Sequence, residues 1–430
     1  VDKLYLSPLM KVEQWNNPYL TTRINAQFEG ANIDNIEGLA VIDSTSLYDE
    51  SFVYNPGPIY LQALAADDEG NKKIEVYSSI IEGEISGDYH LETIGNDMKS
   101  LLSAHLPSLI ENPNWEGKED HYSSFRFDFV LKNTEDASYA LSLPFINVEP
   151  ATFKGVVDLA YSKAATINAH IPRLMFGQND VRESRIDVSV KEETGVGVTA
   201  DTYLVQENGH VNAKLNTAAL NDSVTNTLSF SMLNNVADAE GSLNIDVGFE
   251  KDFENDLIAN VSINPTDINF NDKVIKITPS TVVYVKDSIL INDFELRQDQ
   301  MLLLGIDGVA SKKEEDSLRV FFNNTDIETI LATFKIANLK GAMNGGIVIN
   351  QALADPLIRT DNFRIENIHT DTDTLGTLLV GGDWDMDRDG MKLDARLQKK
   401  DKDYLVVNGF VPVGGESEMD MDINLSSLPL

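Results

Sequence analysis

The chain of 430 residues contains no cysteine. That excludes a disulfide framework, thiol nucleophiles and thiolate-bound metals. It leaves the compartment open, because proteins of the bacterial envelope also do without cysteine. Histidine is scarce: His90, His105, His121, His170, His210 and His369 are the whole set, and no two stand at metal-ligand spacing. Positive charge is also in short supply. There are 34 Lys and Arg against 69 Asp and Glu, a net charge of −35. Such a surface repels phosphate backbones and anionic headgroups, so nucleic acid is not an expected partner. No apolar run approaches the roughly 18 residues of a membrane span. The opening, "VDKLYLSPLM", lacks both an initiator Met and a signal-peptide pattern, and the end, "MDMDINLSSLPL", closes in mid-alternation. Together they suggest a piece of something longer.

What is present is a folded composition, 42% hydrophobic and 24% charged. Its dominant pattern is alternation. Leu20, Thr22, Ile24, Ala26 and Phe28 share one parity, as do Phe125, Phe127, Phe129 and Leu131. Ile186, Val188 and Val190 follow, then Val196, Val198 and Ala200, then Leu228, Phe230 and Met232. Leu243, Ile245, Val247 and Phe249 form another set, as do Leu302, Leu304 and Ile306, and also Met419, Met421, Ile423 and Leu425. Period two marks strands with one apolar and one wet face. Turn signals separate them, among them "NPGP" at 55–58, "ENGH" at 207–210 and "VGGES" at 413–417. The expectation is a large, mainly β, antiparallel meander.

The stretch "GGDWDMDRDGMKLDARL" at 381–397 tests this reading. Asp385, Asp387, Asp389 and Gly390 match the start of an EF-hand loop, but the twelfth position is Arg396 instead of a bidentate Glu. Leu378, Val380 and Trp384 alternate before it, and Met391, Leu393, Ala395 and Leu397 after it. A hairpin turn explains the Asp-Gly better than a calcium site.

Two helices are expected. One lies near 96–111, capped by Asn96 or Asp97 and ended or kinked by Pro107; the other lies near 325–337, opened by a Thr325/Glu328 capping box. Each would pack on the sheet and close one end of it. A weak repeat of an alternating strand ending in Gly recurs at 80–87, 302–308, 377–384 and 404–410, which suits an elongated object. Three modules are expected: 1–160, 161–265 and 266–430.

A sheet with so many half-apolar strands cannot leave that face in water. It must close into a barrel, pair as a sandwich or curl into a trough whose lining takes up something else. No G-x-S-x-G elbow or convergent carboxylate pair stands out, so no enzymatic activity and no cofactor are expected. Asp followed by Ser or Thr and an apolar residue or Thr, as at Asp222-Ser223-Val224 and Asp287-Ser288-Ile289, is similar to an O-glycosylation acceptor; chance in an acidic chain explains it equally well.

The segment order "INDFEL", "LLLGIDG", "LRVFFNNTDIETIL", "LKGAMNGGIVI" and "LGTLLVGGDW" resembles TamB of the AsmA-like envelope proteins. The region with "GEISGDYHLETI", "HLPSL", "FDFVLKNT" and "FKGVVDL" is similar to earlier parts of long TamB-like chains from Bacteroidetes. The resemblance is one of pattern and order and contains no catalytic signature. It implies an elongated, curled antiparallel β-sheet, a taco-like groove with an apolar interior. It further implies a periplasmic location, an inner-membrane anchor elsewhere, phospholipid acyl chains as cargo and an outer-membrane barrel as partner of the whole protein. The expected lining is Leu243, Ile245, Val247, Phe249, Leu302, Leu304, Ile306, Leu405, Val407, Met419, Met421, Ile423 and Leu425, with no metal or catalytic residue. The competing expectation is a secreted or surface β-sandwich that binds glycan or protein, with closed separate cores. A third is a structural tether that aids barrel assembly.

Overall fold

The computed structural model describes residues 3–6, 17–50, 52–68, 70–113, 123–234, 238–328, 331, 339–400, 402–412 and 418–426. The fold is mainly β, and every described strand pairing is antiparallel. Packing divides the chain into two units, Val1–Leu228 and Ser229–Leu430.

The first unit holds β1 (Leu4–Tyr5), β2 (Tyr19–Glu29), β3 (Glu37–Tyr48), β4 (Val53–Tyr54), β5 (Ile59–Leu64), β6 (Lys72–Tyr77) and β7 (Ile81–Asp88). Helix α1 (Ile94–Ser103), β8 (Ser124–Leu131), helix α2 (Glu135–Leu141), β9 (Phe145–Asn147) and β10 (Ala151–Asp158) follow. Then come β11 (Ala164–Phe176), β12 (Asn179–Lys191), β13 (Gly195–Gln206), β14 (Gly209–Leu220) and the start of β15 (Ser223–Asn234). Neighbours in sequence are mostly neighbours in space, from β1 beside β2 through β13 beside β14. β4 and β5 both lie beside β3, and β9 and β10 both lie beside β11.

The second unit continues with β16 (Asp238–Lys251), β17 (Leu257–Ile263), β18 (Thr266–Phe270), β19 (Lys273–Ile277), β20 (Ser280–Val285), β21 (Ser288–Gln298) and β22 (Met301–Ser311). It ends with β23 (Ser317–Asp326), β24 (Lys340–Asn350), β25 (Leu357–His369), β26 (Thr374–Asp385), β27 (Gly390–Lys399), β28 (Lys402–Pro412) and β29 (Asp420–Leu425). β17 and β18 both pair with β16, while β19 and β20 both pair with β21. From β21 to β29 the chain is a plain meander.

Turn chemistry sets the registers. The two-residue loops Asn221–Asp222 and Asn271–Asp272 have positive φ at both positions, 53° and 58° and then 47° and 63°. Asn and Asp tolerate that conformation, which matches the twist of a hairpin. The expected hairpin at 381–397 is present: Trp384 lies opposite Met391 and Asp385 opposite Gly390. β-Bulges interrupt the ladders within strands. Ser44, Glu183, Asp293, Asn324, Asn362 and Asn367 have φ near +50° and sit where the registers shift. Each bulge raises the local twist and bends its strand.

Helix α1 starts earlier than the sequence suggested. Thr93 is its N-cap, and Asp97 lies inside the first turns, buried, accepting a hydrogen bond from Thr93 Oγ1 at 3.0 Å. It ends at Ser103, ahead of Pro107, and non-helical turns follow. α2 was not foreseen; seven residues are too few to show a period. The capping box at Thr325 is also corrected. Thr325 belongs to β23 and its hydroxyl donates to the Leu303 carbonyl, while Asp326 Oδ1 accepts from Glu328 N at 3.0 Å. Ile327 and Glu328 are helical, and most of the helix expected to 337 lies outside the described residues, as does the "VGGES" turn.

Close packing within the ladder is tested at Gly155, opposite Phe127. A Cβ there would overlap the Phe127 ring and stand 2.7 Å from the Thr166 carbonyl, whereas one at Gly248 meets nothing within 4 Å. Gly155→Val is expected to lower stability by about 2 kcal/mol in urea unfolding. Gly248→Ala is expected to change it by less than about 1 kcal/mol. Equal midpoints for the two variants would contradict the packing.

Candidate functional site

Because successive side chains point to opposite faces and directly paired residues share a face, the registers identify the members of each face. In the first unit, Ile24, Ala26 and Phe28 lie opposite Ile42, Ala40 and Gly38, which lie opposite Ile59, Leu61 and Ala63. The rows run on through Ile74 and Ile85 to Phe127, Gly155, Ile167, Val188, Val198 and Thr217. A parallel row joins Phe129, Phe153, Ala169, Ile186, Ala200 and Leu215. One apolar face therefore crosses these strands without a break.

The second unit repeats the arrangement. Ile245, Val247 and Phe249 lie opposite Ile263, Val261 and Ala259, and the face continues to Val282 and Ile291. Phe294 and Leu296 lie opposite Ile306 and Leu304, and Ile306 leads to Val320 and Ile347. Met343 leads to Ile365 and Leu378. From there the row Leu378, Leu397, Leu405, Leu425 and the row Val380, Ala395, Val407, Ile423 cross four strands each. Gly382, Leu393, Gly409 and Met421 form a third.

Most of these side chains are half-buried instead of sealed. At β29 they are bare: Ile423 is 65% exposed and Leu425 71%. Among the described residues, helices cover the ends of the strands. In the first unit Leu101 of α1 joins Val157, Leu159, Ala165 and Val190 in a buried cluster, with Met98, Phe125 and Val196 against it. α2 packs against both β4 and β9, at the opposite end of the strands. In the second unit Ile327 is buried and stands over Gly341, where a Cβ would meet its Cδ1 at 3.4 Å.

The other face carries cross-strand ion pairs among apolar rows, such as Val41, Tyr60 and Tyr77, or Val283, Leu290 and Val309. Glu75 and Glu84 are directly opposite, and Lys73 bridges them at 2.5 and 2.9 Å; those bonds hold the Lys73 ammonium above its usual pKa. Lys154 meets Asp128 at 2.7 Å, Arg319 meets Asp361 at 2.8 Å and Arg396 meets Asp394 at 2.9 Å. A shallow depression of about 340 Å³ also lies on the polar side of the first unit. Thr166, Asn168, Asp187, Ser189 and Thr199 line it together with Val188, Val198 and Ala218, a mixed polar and apolar surface. Asp385 of the calcium-like stretch is engaged otherwise, by Lys392 at 3.0 Å and by the Asp387 amide at 3.1 Å.

The expected lining residues fall as follows. Leu243, Ile245, Val247 and Phe249 share the apolar face of β16, Leu304 and Ile306 that of β22, and Leu405, Val407, Met421, Ile423 and Leu425 that of β28 and β29. Leu302 does not join them. Leu304 lies opposite Leu296 but Leu302 lies opposite Arg297, so a bulge at Leu303 puts Leu302 on the other face and buries Leu303 itself. Met419 precedes β29 and is 67% exposed. Phe294, Leu296, Val320, Ile347, Leu393 and Leu397 belong to the face and were not among the expected lining; only the register connects them.

Comparison with protein-family models, with curated proteins and with solved structures finds no match.

Asp180 tests the electrostatics of the strand ends. It is buried between Arg182, at 2.7 Å, and Arg173, at 3.0 Å, and their hydrogen bonds hold its carboxyl below the usual range. A depressed pKa adds stability above the unfolded value, near 4, that is lost as pH falls through the folded one. Melting temperature measured from pH 7 to 3 is expected to fall on that acid limb, and less steeply in Asp180→Asn. Identical acid limbs would contradict the pairing.

Proposed function

We propose that this chain is a periplasmic part of a TamB/AsmA-like envelope protein whose curled apolar sheet faces shield phospholipid acyl chains between membranes. The observation that carries the reading is the apolar face of each unit, which crosses strand after strand and is interrupted in the first unit by the group of Arg173, Asp180 and Arg182 at the strand ends. An acyl chain laid on it gains about 0.8 kcal/mol per buried CH₂. The transfer needs no bond-making, so the chain acts by burial and not by catalysis. In this reading an inner-membrane anchor and an outer-membrane barrel partner belong to the whole protein. A tandem β-sandwich requires a second layer over the same face. Among the described residues the helices supply one only at the strand ends, which favours an open face and a ligand to fill it.

Neighbours on β28 give the test. Val407 lies on the apolar face opposite Ala395, and Val406 on the polar face opposite Arg396. Native mass spectrometry after incubation with phospholipid is expected to show bound lipid on the wild type and on Val406→Asp, and much less on Val407→Asp. Lipid-free wild type, or equal loss in both variants, would count against the proposal. Photocrosslinking from Leu304 to phospholipid in cells separates lipid shielding from a tether that carries no cargo.

A further inference from the structure

α1 is fastened unequally at its two ends. Ahead of it, the Leu91 amide donates to Asp34 Oδ1 at 2.6 Å, the His90 amide to Ser123 Oγ at 2.9 Å and Lys72 Nζ to the Tyr89 carbonyl at 2.6 Å. Behind it, the described bonds to the sheet converge on one turn residue. Asp222 accepts from the Ser108 amide at 2.8 Å and from Ser108 Oγ at 2.9 Å, and its own amide donates to the His105 carbonyl at 2.8 Å. The helix thus crosses the strand ends from β7 to the β14–β15 turn and is closed there by a single carboxylate.

Its docking is also costly. Asp97 is buried within it, and that burial pushes its carboxyl above the usual range. His105 is 2% exposed and its Nε2 has no hydrogen-bond partner. An unsatisfied buried polar atom and a desolvated carboxyl both regain water when the segment lifts. Both effects lower the cost of lifting α1 from the strands beneath it. The surface it covers is the end of the apolar face, and the uncovered rows through Phe127 and Phe129 are the same kind of surface. A ligand that fits those rows competes with Leu101 for the row it covers.

We propose that α1 is a displaceable lid on the apolar face of the first unit, hinged at Asp34 and Ser123, latched at Asp222, and moved aside by an entering phospholipid acyl chain. The inference rests on the lipid-shielding reading and adds the control of access to it.

Two variants move the latch and the docking cost in opposite directions. Asp222→Gly removes both side-chain bonds and still suits the φ of 58° at that turn. Asp97→Asn removes the buried charge and keeps an acceptor for Thr93. Residue-resolved hydrogen exchange on the full chain is expected to show α1 amides exchanging faster than those of β10–β12. They should exchange about tenfold faster again in Asp222→Gly and more slowly in Asp97→Asn. Binding of a phosphatidylethanolamine with a fluorescent acyl chain should strengthen in Asp222→Gly and weaken in Asp97→Asn. If α1 exchanges only together with β10–β12, or if wild type binds the lipid and Asp222→Gly leaves that binding unchanged, the lid is overturned and the lipid reading stands. If neither wild type nor Asp222→Gly binds the lipid, both fall.

Discussion

Everything in this molecule depends on one constraint, the fixed alternation of side chains along an antiparallel ladder. Once two strands are hydrogen-bonded in a given register, the face on which every residue sits is settled. A sequence that alternates apolar and polar residues, paired strand after strand, must therefore collect its apolar residues on one side. Leu378, Leu397, Leu405 and Leu425 come from four different strands and form one row for this reason alone. No distant core is needed to place them.

The same constraint shapes the electrostatics. On the wet side, cross-strand cations stand between acidic residues. Lys73 between Glu75 and Glu84 shows the pattern: two like charges are forced opposite each other by the register, and a neighbour on the same face relieves them. Such exposed pairs add little stability individually. Their larger effect is to make the two sides of the sheet unlike in charge. Charged residues also discourage edge-to-edge association of the strands.

Much of the fold was legible because period two needs only a few residues to show itself. Strand class, the antiparallel meander, the hairpin at 381–397 and the set Leu405, Val407, Ile423, Leu425 follow from alternation and turn residues. What was hidden is whatever breaks the period. Leu302 and Leu304 look equivalent in sequence, yet the bulge at Leu303 separates them onto opposite faces. A signal for some of these breaks existed: Asn324, Asn362 and Asn367 stand inside otherwise strand-like runs, and Asn tolerates the left-handed conformation that a bulge needs. Thr325 failed as a helix cap because its hydroxyl is taken by Leu303, a contact between strands that a local motif cannot reveal. Asp97 failed in the same way: it reads as a cap but is buried inside the helix.

The central claim is that one side of the ladder, and only that side, meets acyl chains. The absence of native cysteine permits the direct measurement. Single cysteines at each position from 403 to 411, each carrying a fluorophore, would be exposed to phospholipid with a nitroxide on its acyl chain. The account predicts quenching with a period of two, strong at 405, 407, 409 and 411 and weak between them. A flat profile, or quenching strongest at 406, 408 and 410, would contradict it.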